Sequence, residues 1–344
     1  MTRPPLYAFT FIRNGIKFDY PFLECYENLA PLVDCIYVAV GQGEDQTLDL
    51  VSRFPKVKVI PTVWDDQLRA GGLVFSSQVN IALKALRADH PKGWGFYLNA
   101  DEVLAEWEYE TLLKDLNYAD QNGYDAISLR FIHFWKRYDQ IAIAKRWYPD
   151  ELRLIRLETP IVSFGDSQSF LNVTKPYFSN ANVYHYGHVR NEESFEQKNR
   201  YFHRFWHAKD SEIDGLMQKG KVKDAKELTV RYLGPHPQSM LKRIQKTNFS
   251  YPQETDQALI LGYKDEFSPD FSHKIRVKKI YWKDDRLKGV SFKKNEIVPL
   301  HPNWFEALQY RSHVPKKMYS QRAVPWTKEF YAVLKLSEKG IAFY

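Results

Sequence analysis

Residues 93–104 read GWGFYLNADEVL. Gly95, Phe96, Tyr97 and Leu98 form an apolar run of strand length. Asn99, Ala100, Asp101 and Glu102 then make a small polar step before Val103 and Leu104 resume the apolar pattern. Carboxylates are seldom buried without a partner or a cation, and open α/β sheets bind ligands at the carboxyl ends of their strands. The acidic step is therefore expected to hold a divalent cation with a phosphate ligand, Asp101 being the main ligand with Asn99 or Glu102 beside it. A competing reading makes Asp101 and Glu102 caps of a helix that begins near Ala105.

The segments before this stretch alternate strand and helix. Leu6 to Ile12 and Cys35 to Val40 are apolar runs, each ended by a glycine-bearing turn, and Val57 to Pro61 is a third strand. Helical spacing covers residues 19–31, 45–54 and 73–88, the last with Val79, Ala82, Leu83 and Leu86 on one face. Further on, a helix is expected at about 106–122 and a strand at Ala126 to Phe131. Such alternation with short loops indicates a mostly parallel sheet of the doubly wound α/β type. Short strands mixed with loops are expected over 131–190, mainly helix over 191–232, and few periodic segments after that. A linker is placed at 232–237, giving domains 1–235 and 236–344.

The chain has 344 residues, with hydrophobic and charged fractions near globular averages, which argues against disorder. Its net charge of +7 is uneven: residues 1–120 carry −6 and residues 121–344 carry +13. The basic part suits an anionic partner such as a nucleotide phosphate, an anionic lipid surface or a nucleic acid. Cys25 and Cys35 have no CxxC neighbour, so neither a disulfide framework nor structural zinc is expected. No run approaches a membrane span, and the start MTRPPLYAF lacks the apolar region of a secretory leader. A cytoplasmic protein is expected, with peripheral membrane contact and oligomerisation both compatible with the sequence.

Arg13-Asn14-Gly15 and Gly41-Gln42-Gly43 allow a ligand close to the backbone, but neither is a dinucleotide fingerprint or a P-loop. In Trp147 to Arg156, WYPDELRLIR, Asp150 or Glu151 suits a general base at a pocket rim; the plainer reading is an ion pair with Arg153 or Arg156. In Tyr184 to Arg190, YHYGHVR, a histidine suits a metal shell and Arg190 a phosphate.

Taken together, the Gly71-Gly72 helix with Asn80, GWGFYLNADEVL, WYPDELRLIR, the GDSQSF segment at 165–170 and YHYGHVR resemble the family-2-like glycosyltransferases of the GT-A fold. The resemblance covers roughly residues 5–240. It implies a GT-A-type, Rossmann-like, mostly parallel sheet flanked by helices, with a helical or irregular carboxy-terminal extension serving as acceptor site, lid or oligomer contact. It further implies metal-assisted, inverting transfer of a sugar from a nucleoside-diphosphate donor to an acceptor hydroxyl, such as that of a glycan or surface-polysaccharide precursor. Asn99-Ala100-Asp101 falls where the family carries Asp-x-Asp. Asp101 would then ligate Mn2+ or Mg2+ with His185 as second ligand. Asn99 would hydrogen-bond the nucleotide, which Phe11, Arg13, Asn14, Asn80 and Arg190 would also approach. Glu151 would be the catalytic base, with Asp166 as the competitor. Two other readings remain open: a catalytically inactive relative that binds carbohydrate, and a nucleic-acid-binding protein using the basic, aromatic stretch 278–289.

Overall fold

The structure, a computed structural model, describes residues 3–68, 71–142, 147–207, 209–218, 229–232 and 235–251, together with segments 258–261, 274–276, 297–299, 332–337 and 340–343. Strand and helix alternate from the start: β1 (Leu6–Ile12), α1 (Phe22–Leu29), β2 (Ile36–Gly41), α2 (Thr47–Ser52), β3 (Val57–Thr62), α3 (Leu73–Asp89) and β4 (Trp94–Tyr97). There follow β5 (Glu102–Leu104), α4 (Tyr109–Gln121), β6 (Ala126–Trp135), β7 (Gln140–Ala142) and β8 (Asp150–Arg156). Next come the hairpin β9 (Val162–Phe164) and β10 (Ser169–Leu171), then β11 (Pro176–His188), α5 (Glu192–His203) and α6 (Asp210–Gln218). The remaining elements are β12 (Thr229–Tyr232), α7 (Gln238–Gln245), β13 (Ala258–Leu261), β14 (Lys274–Arg276), β15 (Ile297–Pro299), β16 (Ala332–Ser337) and β17 (Gly340–Phe343).

Two compact units interleave along the chain. The first takes residues 1–132, 149–225 and 237–249, and the second residues 133–148, 226–236 and 250–344. In the first unit the strand order is β3-β2-β1-β4-β8-β6. β3, β2, β1 and β4 are parallel, whereas β8 runs antiparallel to both β4 and β6. The chain is thus an α/β protein with a mostly parallel sheet flanked by helices, as expected. In the second unit β7, β12, β13, β16 and β17 pair in that order, with β12 and β13 parallel, and β14 pairs with β15. Strands β13 to β17, and helix α7, fall in residues 236–344, the region read from sequence as a helical or irregular extension. The basic stretch 278–289 lies outside the described residues.

The periodicity of α3 is realised in its packing. Val79, Ala82, Leu83 and Leu86 are buried against Phe9, Tyr37, Ala39 and Tyr97 of the sheet. Each large apolar side chain so buried contributes roughly 1.5–3 kcal/mol. Gly72, with φ 68°, starts this helix in the left-handed region that favours glycine. A Cβ there would also fall 2.7 Å from the Cβ of Asp166, so α3 and the 165–168 turn meet over a bare backbone.

The cap reading of Asp101 and Glu102 does not hold, because Glu102 opens strand β5 and the next helical turn begins only at Glu106. Glu102 instead pairs with Arg153 of β8 through two bonds of 2.9 Å, and both side chains are 0% exposed. The guanidinium also lies over the Phe131 ring at 4.7 Å. Removing one partner of such a pair leaves an uncompensated buried charge. Arg153→Met is expected to destabilise the protein by about 3–5 kcal/mol in urea unfolding. The double change Arg153→Met with Glu102→Leu is expected to recover most of that loss; a double variant no better than the single one contradicts this account.

Candidate functional site

Asp101 and His185 are brought together by main-chain pairing. β11 runs antiparallel to β5 with His185 opposite Glu102 and Tyr184 opposite Val103, and the Tyr186 amide donates to the Asp101 carbonyl at 2.8 Å. His185 Nε2 then stands 3.7 Å from Asp101 Oδ1. Gly187 makes the approach feasible: a Cβ there would lie 2.4 Å from His185 Nε2 and 2.6 Å from Asp101 Oδ2.

A residue that the sequence reading did not single out completes the cluster. Asn191 caps α5 by accepting from the Ser194 amide at 2.8 Å, and the helix carries Lys198 inward. Lys198 Nζ donates to the Gly187 carbonyl at 2.6 Å and to Asp101 Oδ2 at 3.4 Å. Arg190, fully buried, donates to the carbonyls of Gly187 and Phe18. Both cations lie over Tyr20, at 4.9 Å for Lys198 and 5.0 Å for Arg190. The signal for Lys198 was a lysine in an apolar stripe, since Phe195, Lys198 and Phe202 recur at the i, i+3, i+7 spacing of one helix face.

The charges respond to one another. Burial opposes ionisation of Asp101, but Lys198, His185 and Arg190 outweigh it and hold the carboxyl below its usual range. Burial, with Arg190 beside it, pushes the Lys198 ammonium down to about 7 against the pull of Asp101. Burial likewise lowers His185, while Asp101 and Glu102 pull the other way.

Asn99 serves the neighbouring ion pair. Its Nδ2 donates to Glu102 Oε1 at 2.8 Å and its amide to Oε2 at 3.2 Å, while its Oδ1 accepts from the Tyr97 hydroxyl. A carboxylate at 99 would face the Glu102 carboxylate instead of donating to it. With its one proton given to Asn99, the Tyr97 oxygen accepts from the Ser167 hydroxyl at 3.0 Å, in the turn that bears Asp166.

The two candidate bases stand close enough to interact. Glu151 stands opposite Leu129 of β6, and Arg153 falls at the register shift between the two strands, where Leu152 and Leu154 stand opposite Ser128 and Ile127. Burial pushes the Glu151 carboxyl up to about 7; Arg153 opposes this, and Asp150, Glu102 and Asp166 add to it. The alternative ion pairs have other partners, Arg153 holding Glu102 and Arg156 holding Asp120 at 3.0 Å.

The remaining candidates lie at the ends of β1, β2 and β3. The Arg13 guanidinium stacks over Trp64 at 5.4 Å and Tyr201 at 5.8 Å, and Phe11 packs between Trp64 and Phe75. Asn14 accepts from the Glu44 amide at 2.7 Å. Buried here without hydrogen-bond partners are Trp64 Nε1, Arg13 Nε and the Tyr201 hydroxyl. Asn80 is separate: both ends of its amide bond the Ser163 main chain at 2.9 Å, tying α3 to β9.

A divalent metal of the expected kind does not suit this donor set. At a diphosphate site such an ion takes one or two protein carboxylates, and phosphate and water oxygens complete its shell. Among the described residues no three acidic, histidine or cysteine side chains group for a metal. Glu102 is committed to Arg153, and Lys198 already presents a cation to Asp101.

Neither a family model nor a curated protein matches the sequence. Among solved structures the chain is similar to S. aureus TarS at 15% identity and a TM-score of 0.34, covering 62% of this chain and 42% of that one. It is similar also to 4-diphosphocytidyl-2C-methyl-D-erythritol synthase from Anaerococcus prevotii DSM 20548, at 12% identity and a TM-score of 0.34, covering 57% and 95%. The chain thus spans less than half of the TarS structure it matches, and likeness at this level says nothing about activity.

Asn99→Asp is expected to cost about 1–3 kcal/mol at neutral pH by turning a donated bond into carboxylate repulsion. Urea unfolding measures it. An unchanged or raised stability contradicts the role given to Asn99.

Proposed function

We propose that the protein is a glycosyltransferase that moves a sugar from a nucleoside-diphosphate donor to an acceptor hydroxyl with inversion. The observation that carries the proposal is the union, at the carboxyl end of β4, of the charged cluster around Asp101 with the base candidate Glu151. Ligands of open α/β sheets bind at that end of the strands. The Lys198 ammonium suits a diphosphate there, with the buried Arg190 behind it adding positive field. The orphaned donors of Trp64 and Arg13 at the neighbouring strand ends suit a polar nucleoside.

In this mechanism Glu151 accepts the proton of the acceptor hydroxyl as that oxygen attacks the anomeric carbon. The bond to the donor diphosphate breaks, and the departing charge is stabilised by the cations beside Asp101. A general base works best with a pKa near the operating pH, and the carboxyl of Glu151 at about 7 meets that condition. Asp166, across the 165–168 turn, is the alternative base. The acceptor is a hydroxyl-bearing glycan or polysaccharide precursor in this reading, reached from a membrane surface or from solution.

Donor binding is expected to survive both Glu151→Gln and Asp166→Asn, and transfer to fall by about 10²–10⁴-fold in Glu151→Gln. Because Lys198 acts protonated and the base deprotonated, wild-type kcat/KM should fall as pH rises above about 7 and show a rising limb below it that belongs to Glu151. Glu151→Gln should lose that limb. Loss of transfer in Asp166→Asn alone reassigns the base, and loss in neither variant contradicts both assignments.

A further inference from the structure

We propose that Lys198 takes the place of a divalent metal in this site, its ammonium binding the donor diphosphate directly so that donor binding and transfer proceed without a metal ion. The inference rests on the glycosyltransferase reading above and concerns the same site.

Three observations carry it. The first is position. Lys198 is only 8% exposed and lies in the apolar face of α5, with its ammonium 4.9 Å from the Tyr20 ring centre and 5.2 Å from that of Phe202. A buried ammonium is costly unless well compensated. Its short bond goes to a neutral carbonyl, that of Gly187, and its approach to Asp101 at 3.4 Å is longer than the ~2.7–2.9 Å of a strong charge-assisted bond. Those two contacts use two of the three N–H groups of an ammonium. The group is held in place but is not saturated by Asp101.

The second is charge. Around the single carboxylate of Asp101 stand Lys198 and Arg190, with His185 at 3.7 Å. Two cations against one anion attract a further anion and oppose a dication. Glu102 does not alter the balance, since Arg153 neutralises it.

The third is the polar step itself. The first position of the motif is Asn99, whose amide is turned to Glu102 and Tyr97. The step thus offers an amide and not a second carboxylate at 99, and a lysine stands against the one carboxylate at 101.

The step is ordinary displacement. The acceptor oxygen forms a bond to the anomeric carbon, the bond from that carbon to the diphosphate oxygen breaks with its electron pair, and the proton passes to the base. Lys198 stabilises the diphosphate as an ion and exchanges no electrons.

The test is calorimetric titration of the full chain, freed of metal with a chelator, with UDP, GDP, CDP and ADP as probes. It is repeated with excess Mn2+ or Mg2+ and followed by transfer assays under the same conditions. At least one diphosphate is expected to bind in chelator, with less than tenfold tightening by metal. Lys198→Met is expected to weaken that binding about 10–100-fold, and Lys198→Arg to retain part of it. Binding that needs metal, or that is unchanged or tightened in Lys198→Met, overturns the inference and leaves the glycosyltransferase reading standing. Failure of the wild type to bind any diphosphate with or without metal overturns both. The wild-type comparison decides the metal question even where a variant does not fold.

Discussion

The buried Glu102–Arg153 pair is the interaction on which the site depends. Asp101 and Glu102 are adjacent in the chain, yet they serve opposite ends. Glu102, at the first position of β5, turns inward to a guanidinium that β8 supplies from 51 residues away. Its remaining capacity is met by Asn99. That arrangement fixes the loop between β4 and β5, and with it the direction in which Asp101 leaves the sheet. A buried pair of this kind adds little net stability over apolar packing, but it leaves few alternative arrangements of the chain around it.

Helix α5 carries the second half of the design. One of its faces delivers Lys198 to Asp101, while Tyr201, Phe202 and the following Phe205 pack on the Trp64–Phe75 cluster. The same helix therefore sets the charge beside the acidic step and the aromatic wall beside Arg13. A change in its seating is felt at both places. Gly187 is the counterpart on β11, because only a residue without Cβ lets the histidine and the carboxylate meet.

Much of the sheet is legible in the sequence. Its strands are short apolar runs closed by glycine or polar turns, and the inward face of α3 follows from spacing alone. The meeting of Asp101 with His185 is legible only through the family resemblance, because nothing in the spacing of residues says that β11 lies beside β5. Less can be read of side chains whose partners are main-chain atoms. Arg190 spends its guanidinium on carbonyls, and Asn80 its amide on Ser163, and neither bond leaves a trace in the pattern. The strand β5 is hidden because three residues are too few to show a period, which is why Glu102 could be taken for a helix cap. Lys198 is overlooked for the opposite reason: a lysine on a helix passes for a solvated one unless its flanking phenylalanines are placed on the same face.

The central claim is that the carboxyl end of the parallel strands holds a nucleoside-diphosphate sugar. Thermal unfolding with a panel of such donors tests it most directly, because a ligand that binds the native state stabilises it by about 2.7 kcal/mol at a hundredfold excess over Kd. The account predicts a saturable rise in Tm with at least one nucleoside-diphosphate sugar, and none with the free sugar. No rise with any donor, or a rise with single-stranded nucleic acid alone, would contradict it.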